Sequence, residues 1–239
     1  MKLKKITDFL EEIVPISLQE DYDNCGLILG DKSLFINAAL ITIDCTESVI
    51  DEAIKTGCNL IIAHHPIVFN SIKKLNGNNY IERTIIKAIK NNIAIYAMHT
   101  NLDSVANGVS FKISERLGLI NTKILSPKYK VNQMDVGYGI IGDLISPVES
   151  MEFLLSLKSV MKTNCIRHTA LVKSEINKVA VCGGSGSGFL INAKELNADI
   201  YITADFKYHE FFDAENDVII ADIGHFESEQ FTKDLIYDF

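Results

Sequence analysis

Apolar positions in the first half of the chain follow two alternating periods. Leu3, Ile6, Leu10, Ile13 and Val14 recur at the spacing of one helical face, which predicts an opening helix. Beyond Ala38, short unbroken apolar runs alternate with amphipathic stretches. Residues 39–43, 60–63 and 93–98 read as buried strands. Residues 47–55, ended by Gly57, and 80–91, with Ile81, Ile85, Ile86 and Ile89 on one face, read as the helices between them. This alternation predicts a parallel α/β sheet, closed by a helix over 109–117. The turn formers of 21–27 read as a surface loop.

The second half repeats the theme with less regular spacing. Residues 136–145 and 165–172 read as strands around a helix of 151–160. A strand at 178–182 empties into the glycine run 183–188, and a helix over 189–196 follows. Strands at 200–203 and 218–221 flank a helix over 207–214, and a final helix starts near Glu227. The polar segment Ser126-Pro127-Lys128-Tyr129-Lys130 is the best place for a boundary, giving domains 1–126 and 127–239.

Composition narrows the class. With 239 residues, 47% of them hydrophobic and 23% charged, the chain can bury a sizeable core. A formal charge of −8 and the absence of a basic or aromatic stripe argue against nucleic acid and anionic membrane as partners. The five cysteines (Cys25, Cys45, Cys58, Cys165 and Cys182) form no Cys-x-x-Cys pair, which suits a reducing cytoplasm. No stretch reads as a signal peptide or a membrane span.

The chemistry gathers where strands end. In open α/β sheets ligands bind at the carboxyl ends of the strands. Just past those ends lie His64 and His65, then His99 and Asp103, then Asp205 and His209, then Asp222, His225 and Glu229. His168 alone falls inside a strand. His225 and Glu229 are four apart, hence on one helix face. Several imidazoles and two carboxylates exceed one tetrahedral site, so a dinuclear centre is the economical reading. Nitrogen and oxygen donors without thiolate suit zinc, manganese, iron or nickel. Asp44, Asp205 and His209 fit either a hydrogen bond behind a ligand or, for the latter two, substrate contact. His99 and His209 are available for proton transfer. The glycine run, with Gly184 and Gly186, is compatible with a phosphate cradle or with a tight turn.

Read together, Tyr22-Asp23-Asn24-Cys25-Gly26-Leu27, His64-His65-Pro66, His99-Thr100-Asn101-Leu102-Asp103, the glycine run, Thr203-Ala204-Asp205 with His209, and Gly224-His225-Phe226-Glu227-Ser228-Glu229 resemble the NGG-interacting-factor-three-like family, also named GTP cyclohydrolase I type 2 homologues. The length is similar to its short form, without an inserted domain. The resemblance implies two interlinked α/β domains with mainly parallel sheets, a metal site in the cleft between them, and a homohexamer. It implies His64, His65, Asp103, His225 and Glu229 as ligands of two divalent ions per chain. Tyr22 and Ala204 depart from the tryptophan and glycine usual in the family. The implied activity is a metal-dependent hydrolase acting on a nucleotide or another small phosphorylated or heterocyclic compound. A non-enzymatic metal-binding scaffold or regulator is the alternative, and no catalytic residue is assigned.

Overall fold

A computed structural model describes residues 1–131 and 134–239. The chain forms two compact units, one of residues 1–102 with 232–239 and one of residues 103–231.

In the first unit, α1 (Leu3–Ile13) precedes β1 (Gly26–Leu29), β2 (Ala39–Thr42), α2 (Glu47–Thr56), β3 (Leu60–Ala63), α3 (Tyr80–Lys90) and β4 (Ala94–Ala97). A short α4 (Thr100–Asp103) follows, and α9 (Thr232–Asp238) returns to lie against β2. The helices form where their ends are satisfied. The Thr46 hydroxyl accepts from the Val49 N–H at the start of α2, and Gly57 closes it at φ 72°. The Asn79 amide oxygen accepts from the Glu82 N–H at 2.9 Å to start α3. The sheet order is β1-β4-β3-β2, with β2, β3 and β4 parallel and β1 antiparallel to β4. β3 and β4 are buried along their whole length, as their unbroken apolar runs require. Ile50, Ile61, Ala63, Ile67 and Ile95 join one core cluster, in which each large side chain contributes about 2 kcal/mol.

The second unit holds α5 (Val109–Arg116), β5 (Ile120–Val131), β6 (Met134–Glu149), α6 (Ser150–Val160), β7 (Arg167–His168), β8 (Glu175–Ser185), α7 (Leu190–Glu195), β9 (Ile200–Ala204), β10 (Ile219–Asp222) and α8 (His225–Glu229). Its sheet runs β5-β6-β8-β9-β10-β7, parallel across β8-β9-β10 and antiparallel at both edges. Alternation along the strands builds two cores. Val179, Val181, Ile200, Ile202, Ile219 and Ala221 face α6, while Ala180, Cys182, Tyr201 and Ile220 face α7.

The expectation of α/β sheets flanked by helices holds, but the sheets are mixed. Of the antiparallel members, β6 was expected at 136–145, whereas β1 and β5 are the ones least visible in the sequence. β1 lies partly in the segment expected to be a loop. The segment 126–130, expected to hold a boundary, is paired with β6 within β5, and the chain passes between the two compact units at 102/103. Of the strand expected over 165–172 only Arg167–His168 is strand, extended by a Thr169 N–H bond to the Ile220 carbonyl, and 208–214 forms a 3-10 helix. The final helix is two, broken at Gln230 and Phe231. β8 continues to Ser185, so the first glycines of the run are strand residues.

Candidate metal centre

Because β2, β3 and β4 are parallel, their carboxyl ends open on one side of the first sheet. Asp44, the His64–His65 pair and His99 leave the sheet there. The strand pairing continues into the histidines, since the His64 N–H donates to Thr42 at 3.0 Å and the His65 N–H to Ile43 at 2.9 Å. The three rings are mutual neighbours, with centroids 4.9 Å apart for His64 and His65 and 5.3 and 5.2 Å from each to His99. One ligand nitrogen from each ring lies within 4.8 Å of the others.

Each ring is held from behind. Nδ1 of His64 bonds the Met98 carbonyl at 2.7 Å, Nδ1 of His65 the Asp44 carboxylate at 2.9 Å, and Nδ1 of His99 the Asp23 carboxylate at 2.9 Å. Carbonyl and carboxylate oxygens only accept, so Nδ1 carries the proton in all three. The neutral rings therefore keep their lone pair on Nε2, the tautomer a metal needs.

Asp23 is the most heavily bonded of these anchors. Besides His99 it accepts from the Thr100 hydroxyl, from the Thr100 N–H at 3.0 Å and from the Asn24 N–H at 2.8 Å. Burial alone would raise its pKa, but the bonds from His99 and Thr100 outweigh that and hold the carboxyl far below its usual range. Cys25 donates its thiol to the same carboxylate at 3.2 Å, and burial pushes that thiol up to about 12. The neighbouring sulfur is thus a protonated thiol, and the donor set stays nitrogen and oxygen.

The second unit repeats the construction at the ends of β9 and β10. His225 opens α8 and Glu229 lies one turn on, with Nε2 to Oε2 at 3.2 Å. Nδ1 of His225 bonds Asp205 at 2.6 Å, and Asp205 sits in the left-handed region at φ 61°. Glu229, burial and Asp205 together set the His225 pKa. The bond to Glu229 dominates, burial opposes it, and the result is a rise to about 9. Glu229 is only 3% exposed. The glycine run explains how a carboxylate fits there: Gly184 adopts φ 64°, and a Cβ on it would stand 2.3 Å from Glu229 Oε1. Its N–H donates to Ser228 Oγ at 2.9 Å, and the Ser228 hydroxyl donates to the His225 carbonyl at 2.8 Å.

A family profile described as Duf34/NIF3 (NGG1p interacting factor 3) matches residues 1–239. The chain belongs to the Duf34/NIF3 family. Among curated members, it is 36% identical over 230 residues to a protein of Clostridium acetobutylicum and 38% identical over 230 residues to one of Clostridium perfringens. Both are called GTP cyclohydrolase 1 type 2 homolog; the matches cover 96% of this chain and 85% and 87% of theirs. Among solved structures, a Bacillus cereus protein related to NIF3 superposes with a TM-score of 0.91 at 25% identity, covering 100% of this chain and 93% of that one. A Staphylococcus aureus protein gives 0.90 at 28%, covering 100% and 92%.

Within this Duf34/NIF3 chain, His64, His65 and His99 come together in the first unit, and Asp205, His225 and Glu229 in the second. Asp103 closes α4, four residues after His99 and at the first position of the second unit. His209 is exposed on the 3-10 helix, where its ring packs against Tyr208 and Phe212. Gly186 accepts a 2.6 Å bond from the Tyr201 hydroxyl, and a Cβ there would meet Thr203 Oγ1 at 2.3 Å. Gly183 donates to Ser110 Oγ. The run thus serves close packing, with the N–H groups of Gly183 and Gly184 both engaged by serine hydroxyls. Asp222 holds the turn that carries His225, accepting from the Gly224 N–H at 3.1 Å and the Phe206 N–H at 3.0 Å. Sequence reasoning missed Asp23 as an anchor, because its partner lies 76 positions away and no local spacing links them.

Proposed function

We propose that this chain is a dinuclear metal-dependent hydrolase, with His64, His65, Asp103, His225 and Glu229 as ligands of two divalent ions. The observation that carries the reading is the shared anchoring of the histidines. His64, His65, His99 and His225 each give Nδ1 to a fixed oxygen acceptor, three of them carboxylates. Three rings held with Nδ1 as the donor, and a fourth fixed from behind by the same kind of acceptor, are what metal ligation and proton transfer ask for, and a purely structural histidine does not need it. Imidazole and carboxylate donors suit zinc, manganese, iron or nickel.

When bound, such ions supply Lewis acidity and a water acidic enough to ionise near neutral pH. The protein's own part is to hold and move protons. Asp23 keeps His99 oriented and stabilises its imidazolium, so His99 Nε2 can take a proton and return it to a leaving group. Asp44 and Asp205 fix the ring planes of His65 and His225, and Glu229 with Asp205 raises the basicity of His225. The substrate class is a nucleotide or another small phosphorylated or heterocyclic compound, in keeping with the name carried by the clostridial relatives. A homohexamer is the assembly we assign by resemblance. Among the described residues, no helix is long and apolar enough to cross a membrane.

Elemental analysis of protein purified without chelators tests the centre, beside a His65→Ala, Glu229→Ala double variant. About two ions per chain, lost in the variant, are expected from the ligand count. Turnover is tested by screening nucleotides with the wild type and with Glu229→Gln. Metal retained with no hydrolysis of any substrate would leave a metal-binding scaffold; no stoichiometric metal would overturn the centre.

A further inference from the structure

The second unit carries a cavity of about 600 Å³ whose lining includes none of the candidate ligands. That volume suits a small organic ligand. Val172, Phe211 and Val218 give it apolar walls, and Tyr208 and Phe212 stand at it with 74% and 64% of their surface exposed. Those two rings meet edge to face at 5.3 Å. Large aromatic side chains left this open to water beside a cavity mark a surface that something covers.

Arg167 supplies the polar end. Its Nη2 donates to Asp222 and, at 3.1 Å, to the Phe206 carbonyl, while the guanidinium centre lies 5.4 Å from the Phe211 ring centroid. Among the described residues its Nε and Nη1 have no acceptor, although the side chain is 55% exposed at the cavity. Asp222 in turn is held by the backbone N–H groups of Phe206 and Gly224, so the guanidinium is fixed before any ligand arrives. The lining carboxylate, Glu215, is engaged by Lys194 at 2.6 Å and does not compete for it.

We propose that this cavity binds an aromatic anion: a planar ring among Tyr208, Phe211 and Phe212, with a carboxylate, sulfonate or phosphate on the open donors of Arg167. None of the candidate metal ligands lines the site, although Asp222 both holds Arg167 and braces the turn that carries His225.

The probe is 1-anilinonaphthalene-8-sulfonate, titrated into the full chain and followed by fluorescence, against the uncharged N-phenyl-1-naphthylamine. One saturable sulfonate site per chain is expected, with the neutral probe roughly tenfold weaker because the charge-assisted contact is lost. A Tyr208→Ala, Phe212→Ala double variant weakens the sulfonate roughly tenfold by removing the ring contacts. His65→Ala binds it as the wild type does. Absence of saturable binding, equal affinity for the two probes, or a double variant that binds unchanged would each overturn the site. Sedimentation velocity covers the other occupant: if the double variant breaks an assembly that the wild type forms, the cavity is an interface between copies and the proposal fails. Were the double variant unfolded, the comparison of the two probes on the wild type would still decide.

Discussion

Gly184→Ala and Gly188→Ala change two positions of one glycine run, four residues apart, yet should differ sharply. At Gly184 the backbone sits at φ 64°, where an L-residue costs about 1–2 kcal/mol. The new Cβ would stand 2.3 Å from Glu229 Oε1, so that carboxylate must retreat by about 1 Å to reach ordinary contact. Glu229 is buried, and crowding of this kind adds about 1–2 kcal/mol. The total, about 2–4 kcal/mol, corresponds to a Tm lowered by about 5–15 °C in a chain of this size. At Gly188 an added Cβ would meet nothing within 4 Å, so alanine there should stay within about 0.5 kcal/mol of wild type. Thermal unfolding followed by circular dichroism reads the difference, and elemental analysis reads the second effect. A displaced Glu229 should leave Gly184→Ala short of metal even where the fold survives. A Gly184→Ala protein that melts and loads metal like wild type would refute the argument, as would a Gly188→Ala protein that falls as far.

Three further outcomes follow from the anchoring of the rings. Asp205→Asn keeps a residue tolerant of the left-handed backbone but removes the carboxylate behind His225, so metal affinity should fall roughly 10–100-fold in competition with a chromogenic chelator. Asp23 has its pKa depressed in the folded protein, so its stabilisation is present above the ordinary aspartate range and lost as pH falls below it. Urea unfolding should therefore show Asp23→Asn much less stable than wild type at neutral pH, with the gap closing in acid. In chelator-treated protein, His225 has its pKa raised to about 9, so its contribution is complete below 6.5, the unfolded value, and disappears as pH climbs through about 9. His225→Gln should remove that alkaline loss, and an unchanged pH profile in the variant would count against the His225–Glu229 pair.

The first sheet was legible because β3 and β4, at its centre, are buried on both faces and read as unbroken apolar runs. Residues 60–63 and 93–98 could be little else, and the carboxyl-end rule then located the histidines. Edge strands hide for the opposite reason. β5 carries Lys123, Lys128, Lys130 and Pro127, a composition that protects an exposed sheet edge and looks like a linker when read alone. β1 is four residues long and mostly half-buried, so neither length nor alternation separates it from the loop before it. The His225–Glu229 contact was legible from helical spacing, which is local. The Asp23–His99 contact was not, since only the folded chain brings those positions together. The glycine run was ambiguous when read alone, since a strand followed by glycines is compatible with a ligand-binding turn or a tight turn; in the fold the missing side chains make room for Glu229 and for the Tyr201 hydroxyl.

Residues 232–239 belong with the first unit although the whole of 103–231 separates them from it. During synthesis, therefore, the second unit is available in full before the piece that lies along β2 has left the ribosome. The first unit must wait, with that flank of its sheet uncovered, while a later stretch of chain completes its own core. The order of emergence and the order of completion are reversed, since the unit begun first closes only when Leu235 and Ile236 of α9 are buried.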